Sequence, residues 1–283
     1  MRIAMIAPGA MGAAVARRLH DRGAAVAITL DGRSPASATR AAGMHSFATE
    51  TDLAAWADTI LAILPPGEAD ALARRLAPTL LPRGPAVLYA DCNAVSPATV
   101  AAIAAHLPGI RFVDIGIIGG PPGPTGPGPR LYASGEAAKE LLPLAGWGID
   151  LRPIDGGIGS ASALKMGYAG ITKGLTALGS AMFAGASRSG AAAALRAELA
   201  ASQPNLLAFL DRSVPDMFDK AYRWVAEMEE ISASLGDTAA APIYAAMARH
   251  YDALARQRAT PTADDDISRL AAFVAGTTER KPQ

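Results

Sequence analysis

The sequence predicts an α/β domain of the Rossmann type, a doubly wound sheet, followed by an all-α domain. Three observations carry that reading. Short apolar runs alternate with helical patterns through the first half of the chain. A glycine-bearing turn joins the first run to the first helix. After Gly156-Gly157 nothing reads as a strand, and helical patterns fill the chain to about Val274. The boundary is therefore set at the glycines, giving domains 1–157 and 158–283, and roughly 150 residues is an ordinary domain size.

The elements follow in order. Arg2–Ala7 is a short apolar strand, and Met11–His20 has apolar residues at helical spacing, with Arg17, Arg18 and His20 near its end, where cations suit the dipole. Arg22-Gly23 stops that helix. Ala24–Leu30 is the second strand, Pro35–Ala42 a helix ended by Gly43, and Thr59–Leu64 a strand broken by Pro65-Pro66. Glu68–Leu76 reads as a helix with Pro78 just beyond its end. Ala86–Asp91 is a strand, and Ser96-Pro97 opens a helix with Ser as cap and Pro in the first turn. Phe112–Ile118, Arg130–Ser134 and Gly148–Pro153 complete the strands. Residues 119–129, GGPPGPTGPGP, form a loop by composition, either a surface connector or a rigid wall beside a site.

Composition narrows the function classes. The 283 residues carry 26 basic and 26 acidic side chains, and this zero net charge argues against nucleic-acid binding and against a polybasic membrane surface. With 51% hydrophobic and 18% charged residues the chain can bury a core. One cysteine, Cys92, excludes an intrachain disulfide and fits the reducing cytoplasm. Four scattered histidines give no metal-ligand spacing, so no metal is expected. The apolar run after Met1-Arg2 is too short for a secretory leader. Ala161–Ala186 is long enough to span a bilayer, but Lys165 and Lys173 interrupt it, and it reads as a buried helix.

The first turn carries the cofactor signal. Ala7-Pro8-Gly9-Ala10-Met11-Gly12 lies between strand and helix, as a dinucleotide fingerprint requires. Backbone N–H groups at the helix start, together with its dipole, suit a pyrophosphate. Gly9 and Gly12 fall on the second and third glycines of the motif, and Ala7 departs from the first. Asp31, after the second strand, stands where an acid would bind the ribose hydroxyls of NAD. Gly32, Arg33 and Ser34 suit the 2′-phosphate of NADP instead, since arginine offers a planar donor fork. NADP is the favoured cofactor, with NAD the alternative.

IAPGAMG (6–12), ILPP (63–66), DCNAVSP (91–97), FVDIGIIGG (112–120) and GSASALKMGYAGITKG (159–174) stand in one order. The chain thereby resembles the 6-phosphogluconate and β-hydroxyacid dehydrogenase superfamily, over about 190 residues. LDGRSPAS (30–37) with the KMGYAGITKG helix resembles a branch whose members carry a DUF1932 C-terminal domain and are associated with NADP. The resemblance implies a cytoplasmic oxidoreductase interconverting a hydroxyl and a carbonyl on a small polar substrate. It places Leu64, Pro65 and Pro66 beside the cofactor and Asn93 near the nicotinamide, orienting it or the substrate. Lys165 matches the superfamily's catalytic lysine. A cation there would stabilise the oxyanion that develops, and a desolvated lysine exchanges a proton readily. Three positions depart from the pattern. Ala169 replaces the usual Asn, and Tyr168 or Lys173 would take over its role. Ile118 replaces the carboxylate-gripping Ser before Gly119-Gly120 in the substrate wall, which argues against a simple 3-hydroxy acid. Thr172 replaces the acid of the decarboxylating members. Related imine reductases carry Asp or Tyr at the lysine's place, so imine reduction is the alternative chemistry; a silent NADP-binding sensor is the alternative of another class. Relatives pair through C-terminal helices, which implies a homodimer. Trp224, Met228 and Ile231 form one apolar face, and His250 and Tyr251 read as structural.

Overall fold

The computed structural model describes residues 1–6, 8–262 and 264–276. Ala7 and the tail at 277–283 lie outside the described residues. The chain divides into two compact units, Met1–Met166 and Gly167–Gln283. The division falls inside a helix whose first turns are bound to the sheet.

The first unit runs β1 (Arg2–Ile6), α1 (Ala10–Asp21), β2 (Ala25–Thr29), α2 (Pro35–Arg40), β3 (His45–Phe47), α3 (Glu50–Trp56), β4 (Thr59–Ala62), α4 (Ala69–Leu80), β5 (Leu88–Asp91), α5 (Pro97–Ala105), β6 (Arg111–Ile118), β7 (Arg130–Ser134) and β8 (Asp150–Pro153). The sheet order is β3-β2-β1-β4-β5-β6-β7-β8, parallel throughout except that β7 runs antiparallel to β6. This is the doubly wound sheet the alternation predicts. Order reverses at β1, so the crevice between β1 and β4 opens at the carboxyl ends of the strands.

Strand alternation builds the two faces. Ile3 and Met5 join α1 residues Val15 and Leu19 in one core, with Leu141 and Leu144 from a 3₁₀ segment, Ala138–Trp147. Ala4 and Ile6 face the other way, among Leu53, Leu72, Leu76 and Val100 of α3, α4 and α5. Both faces are covered, which is why the central strands read as continuous apolar runs.

The structure adds elements that the sequence did not suggest and corrects two expectations. β3 and α3 were absent from the sequence reading: a three-residue edge strand shows no periodicity. The signal for α3 is its cap, where Thr49 Oγ1 accepts from Asp52 N at 3.0 Å and donates to Asp52 Oδ2 at 2.8 Å. Pro78 does not follow α4 but lies within it. It is exposed and near the end, so water can serve the carbonyl it leaves unpaired, while Leu72, Leu76 and Leu80 hold the helix down. The 3₁₀ segment at Ala138–Trp147 was not foreseen either. Finally, the long apolar helix is not buried all round, as shown below.

The second unit takes up α6 (Ser160–Arg188) from Gly167 and continues with α7 (Ala192–Ser202), α8 (Pro204–Met217), α9 (Ala221–Ser234), α10 (Ala241–Ala259) and α11 (Asp266–Ala275). No strand occurs here among the described residues. One face of α6 is packed through small residues. Gly170 and Gly174 admit Tyr244 and Met247 of α10, Gly179 admits Leu210 of α8, and Phe183 stacks on Phe273 with centroids 3.8 Å apart. The opposite face is exposed: Tyr168, Ile171, Leu175, Leu178 and Met182 recur at alternating three- and four-residue steps, and Ile171 is 64% and Met182 63% accessible. Met228 and Ile231 of α9 are buried, as the apolar face predicts. No described helix is long and apolar enough to cross a membrane.

Candidate active site

Each expected cofactor segment except Ala7 follows the carboxyl end of a parallel strand. Pro8, Gly9, Ala10, Met11 and Gly12 lie beyond β1, with Asp31 to Ser34 after β2. Leu64 to Pro66 follow β4, Asn93 follows β5, and Ile118 to Gly120 close β6. Parallel pairing brings these ends to one edge of the sheet.

At the first turn, Gly9 is the N-cap of α1, no side chain caps the helix, and its first turn holds no acid. The first N–H groups are left for a ligand, and the dipole favours an anion. Asp31 is exposed. Gly32 turns the backbone at φ 65°, a conformation glycine adopts freely. Arg33 is held by acids: its Nη2 donates to Glu50 Oε1 at 3.1 Å and its Nη1 lies 3.7 Å from Glu68 Oε2. The other oxygen of Glu50 binds Arg75. Arg33 Nε is buried without a partner. That unused donor and the uncapped helix start both fit a phosphorylated dinucleotide. Ser34 caps α2, its Oγ accepting from Ser37 N at 3.3 Å.

Asn93 is more committed than expected. It is buried, its Oδ1 accepts from Leu64 N at 2.8 Å, and its Nδ2 donates to Asp91 Oδ2 at 2.9 Å. Its backbone N–H donates to Asp91 Oδ1 at 3.1 Å. The amide therefore ties the turn after β4 to the turn after β5. Burial pushes the Asp91 carboxyl up to about 6, against the Asn93 hydrogen bonds that lower it. Burial likewise raises the Cys92 thiol.

Lys165 stands on the first turns of α6, half-buried, and no partner holds its Nζ among the described residues. Its position is set by β6. A side chain at Gly116 would put Cβ 2.6 Å from Ala161 O and 3.1 Å from Lys165 Cβ. Only a glycine lets the helix lie this close. Two residues earlier on the same strand face, Asp114 Oδ2 accepts from Gly159 N at 3.0 Å and Ser162 N at 2.9 Å. Its Oδ1 accepts from Ser162 Oγ at 2.7 Å. Ser134 of β7 donates to Asp114 Oδ2 at 3.3 Å and accepts from Ala161 N at 3.0 Å. Asp114 and Gly116 lie in the FVDIGIIGG run, but no local pattern marks their part here, nor that of Ser134.

In the second unit, Tyr168 is exposed. Lys173, expected to assist at the substrate, is tied to Glu227, and its Nζ lies 5.1 Å from the Trp224 ring centroid. Its carbonyl accepts from Tyr251 Oη. The His250 ring nitrogen Nε2 lies 2.8 Å from Ser180 Oγ, and burial lowers the imidazole's affinity for a proton. Among the described residues no three histidine, cysteine or acidic side chains gather as a metal ligand set.

Residues 2–139 match the NAD binding domain of 6-phosphogluconate dehydrogenase, and residues 186–254 match a domain of unknown function, DUF1932. No curated protein matches the chain. Among solved structures, a conserved protein of unknown function noted for its similarity with 3-hydroxyacid dehydrogenases is 27% identical, with a TM-score of 0.71, over 91% of this chain and 99% of that one. The 3-hydroxyisobutyrate dehydrogenase of Mycobacterium tuberculosis, solved with L-serine, is 20% identical with a TM-score of 0.68, over 96% and 99%. An imine reductase from Myxococcus stipitatus, solved with NADP+, is 18% identical with a TM-score of 0.54, over 97% and 100%. The last two share the fold.

Proposed function

We propose that this chain, which joins an NAD binding domain of the 6-phosphogluconate dehydrogenase type to a DUF1932 domain, is an NADP-dependent oxidoreductase interconverting a hydroxyl and a carbonyl on a small polar substrate. The observation that carries the reading is the gathering of the uncapped α1 start, Arg33, the Leu64–Asn93 tie and the strand end before Gly119-Gly120 at one sheet edge. The nicotinamide supplies or accepts the hydride when bound. The free N–H groups of Ala10, Met11 and Gly12 hold the pyrophosphate, and Arg33 holds the 2′-phosphate through its unused Nε. Asn93 acts through the backbone, keeping Leu64, Pro65 and Pro66 in place along the cofactor. Lys165 takes the hydroxyl proton during oxidation and returns it during reduction, and its charge steadies the oxyanion. Ile118, Gly119 and Gly120 wall the substrate. Lys173 acts indirectly, by bracing α6 on Glu227 and Trp224.

The homodimer belongs to the same proposal. The exposed apolar stripe on α6 has the spacing with which two helices pair, and a second copy of this chain is its occupant. The protein works in the cytoplasm on this reading, and it binds neither nucleic acid nor membrane.

Titration with NADPH and NADH, followed by nicotinamide fluorescence, tests the cofactor. At least a tenfold preference for NADPH, abolished by Arg33→Ala, is the expected result. Equal or tighter NADH binding assigns the ribose to Asp31. On a panel of alcohols, carbonyls and cyclic imines, Lys165→Met lowers turnover at least 100-fold with cofactor binding intact. Cyclic-imine turnover that survives the substitution moves the assignment to an imine reductase, and tight NADPH binding with no turnover on the panel moves it to a silent sensor.

A further inference from the structure

We propose that Asp114 is the positioning residue for Lys165, setting the height at which α6 presents its amine over the end of β6. This rests on the catalytic reading of Lys165 for its consequence, though its geometry stands apart from it. The Asp114 carboxylate accepts four hydrogen bonds, from Gly159 N, Ser162 N, Ser162 Oγ and Ser134 Oγ, and it is almost wholly buried. Each donor points at it, so an amide in its place would set an NH2 group against N–H donors. The anion also meets the positive end of the α6 dipole.

The cap fixes more than a helix start. Gly159, Ala161 and Ser162 are the backbone donors bound, the last two of them within α6, and Lys165 stands one turn beyond Ser162 on the same side of the helix. A Cβ at Gly116 would come within 3.1 Å of Lys165 Cβ, so the lysine stem passes β6 too closely for any side chain there. A slip of one residue in the cap would carry Lys165 about 1.5 Å along the helix axis and turn it by about 100°. Because Ser134 bridges Asp114 to Ala161 N, β6 and β7 grip the helix together. Lys165 thus takes its place from the sheet that also forms the cofactor edge.

The experiment compares labelling of individual lysines in the full chain. The folded protein, saturated with NADPH, is pulsed with N-hydroxysuccinimidyl acetate, and acetylation of Lys165 is read by peptide mass spectrometry against Lys139 and Lys173. In Asp114→Asn the Lys165 rate, relative to both references, rises at least threefold, while the NADPH Kd stays within twofold. With whichever alcohol or carbonyl the panel identifies, kcat falls at least tenfold and the cofactor KM holds. A Lys165 ratio equal to wild type in the folded variant overturns the proposal. Should Asp114→Asn not fold, Ser162→Ala removes one side-chain donor and keeps the carboxylate. A smaller rise in the same ratio is then expected, and no rise overturns it. If Lys165→Met leaves turnover intact, the catalytic reading fails alone, and the labelling ratio still decides what Asp114 does.

Discussion

Adding a single methyl group to the sheet, in Gly116→Ala, should move a helix. The new Cβ would stand 2.6 Å from the carbonyl oxygen of Ala161, 3.3 Å from its carbon and 3.1 Å from Lys165 Cβ. The nearest of these atoms is backbone, so no side-chain rotation relieves the clash. Ordinary contact begins near 3.4 Å, and α6 must therefore retreat by about 0.8 Å or β6 must bend. Overpacking of this kind costs about 1–3 kcal/mol. Retreat also stretches the Asp114 bonds to Gly159 N and Ser162 N, now 3.0 and 2.9 Å, toward the limit of useful geometry. Taking about 2 kcal/mol, the midpoint of thermal unfolding should fall by roughly 4–8 °C. The kinetic effect should be larger, since misplacement by about 1 Å costs on the order of 100-fold in rate. The assay is differential scanning calorimetry beside NADPH titration and turnover. Loss of turnover with NADPH affinity unchanged is the expected pattern. A variant that melts within 1 °C of wild type and turns over normally would refute the claim that β6 and α6 are in rigid contact here.

Two further outcomes follow from the same geometry. The Asp91 carboxyl is raised to about 6 in the folded protein, whereas an unfolded aspartate titrates near 3.9. The native state therefore holds a proton that the unfolded chain has released, and stability from this group falls as pH rises from about 4 to about 6, then stays flat. Its size is on the order of 3 kcal/mol, and urea denaturation across that window should show the slope in wild type and lose it in Asp91→Asn. On α6, Leu178→Glu with Met182→Glu places charge on the exposed stripe. Light scattering should read one chain mass for the double variant and two for wild type. A wild-type monomer at micromolar concentration would remove the dimer from the proposal.

The parallel sheet was legible because covered strands are apolar throughout and the turns between them are marked by Gly, Pro and capping Ser. Ser96 is a cap in the structure as the sequence reads it, and Ser34 caps α2 besides. That the motif-bearing turns share one edge was legible for a related reason: the carboxyl ends of parallel strands collect at one side whatever their order in the chain. What the sequence hides is pairing at a distance. Arg33 meets Glu50 across 17 residues, and Asp114 meets Ser162 across 48. No local pattern announces either contact, and Asp114 looks like one polar residue in a strand. Asn93 shows the converse. Its place was readable from the motif, but not the bonds by which its amide ties Leu64 to Asp91. The stripe on α6 misleads for a third reason. Apolar content alone does not tell a helix buried in its own chain from one that offers a face outward.

The loop at 119–129 bears on how the chain is made. Arg18 of α1, nearly buried, ties it down: Nη2 donates to Gly123 O at 2.8 Å and Gly126 O at 3.0 Å, and Nη1 reaches Gly148 O at 3.5 Å. These carbonyls lie 105, 108 and 130 residues downstream of the guanidinium whose N–H groups they accept. During synthesis α1 precedes its three acceptors: Gly123 and Gly126 emerge just before β7, and Gly148 just before β8. The N-terminal βαβ unit therefore completes this tie late. At about 5–20 residues per second, it waits on the order of ten seconds with a basic, half-finished surface before the glycine-rich loop arrives. A chain truncated before Gly123 accordingly lacks all three acceptors, and the proline-stiffened loop shortens the last search by arriving with few conformations to lose.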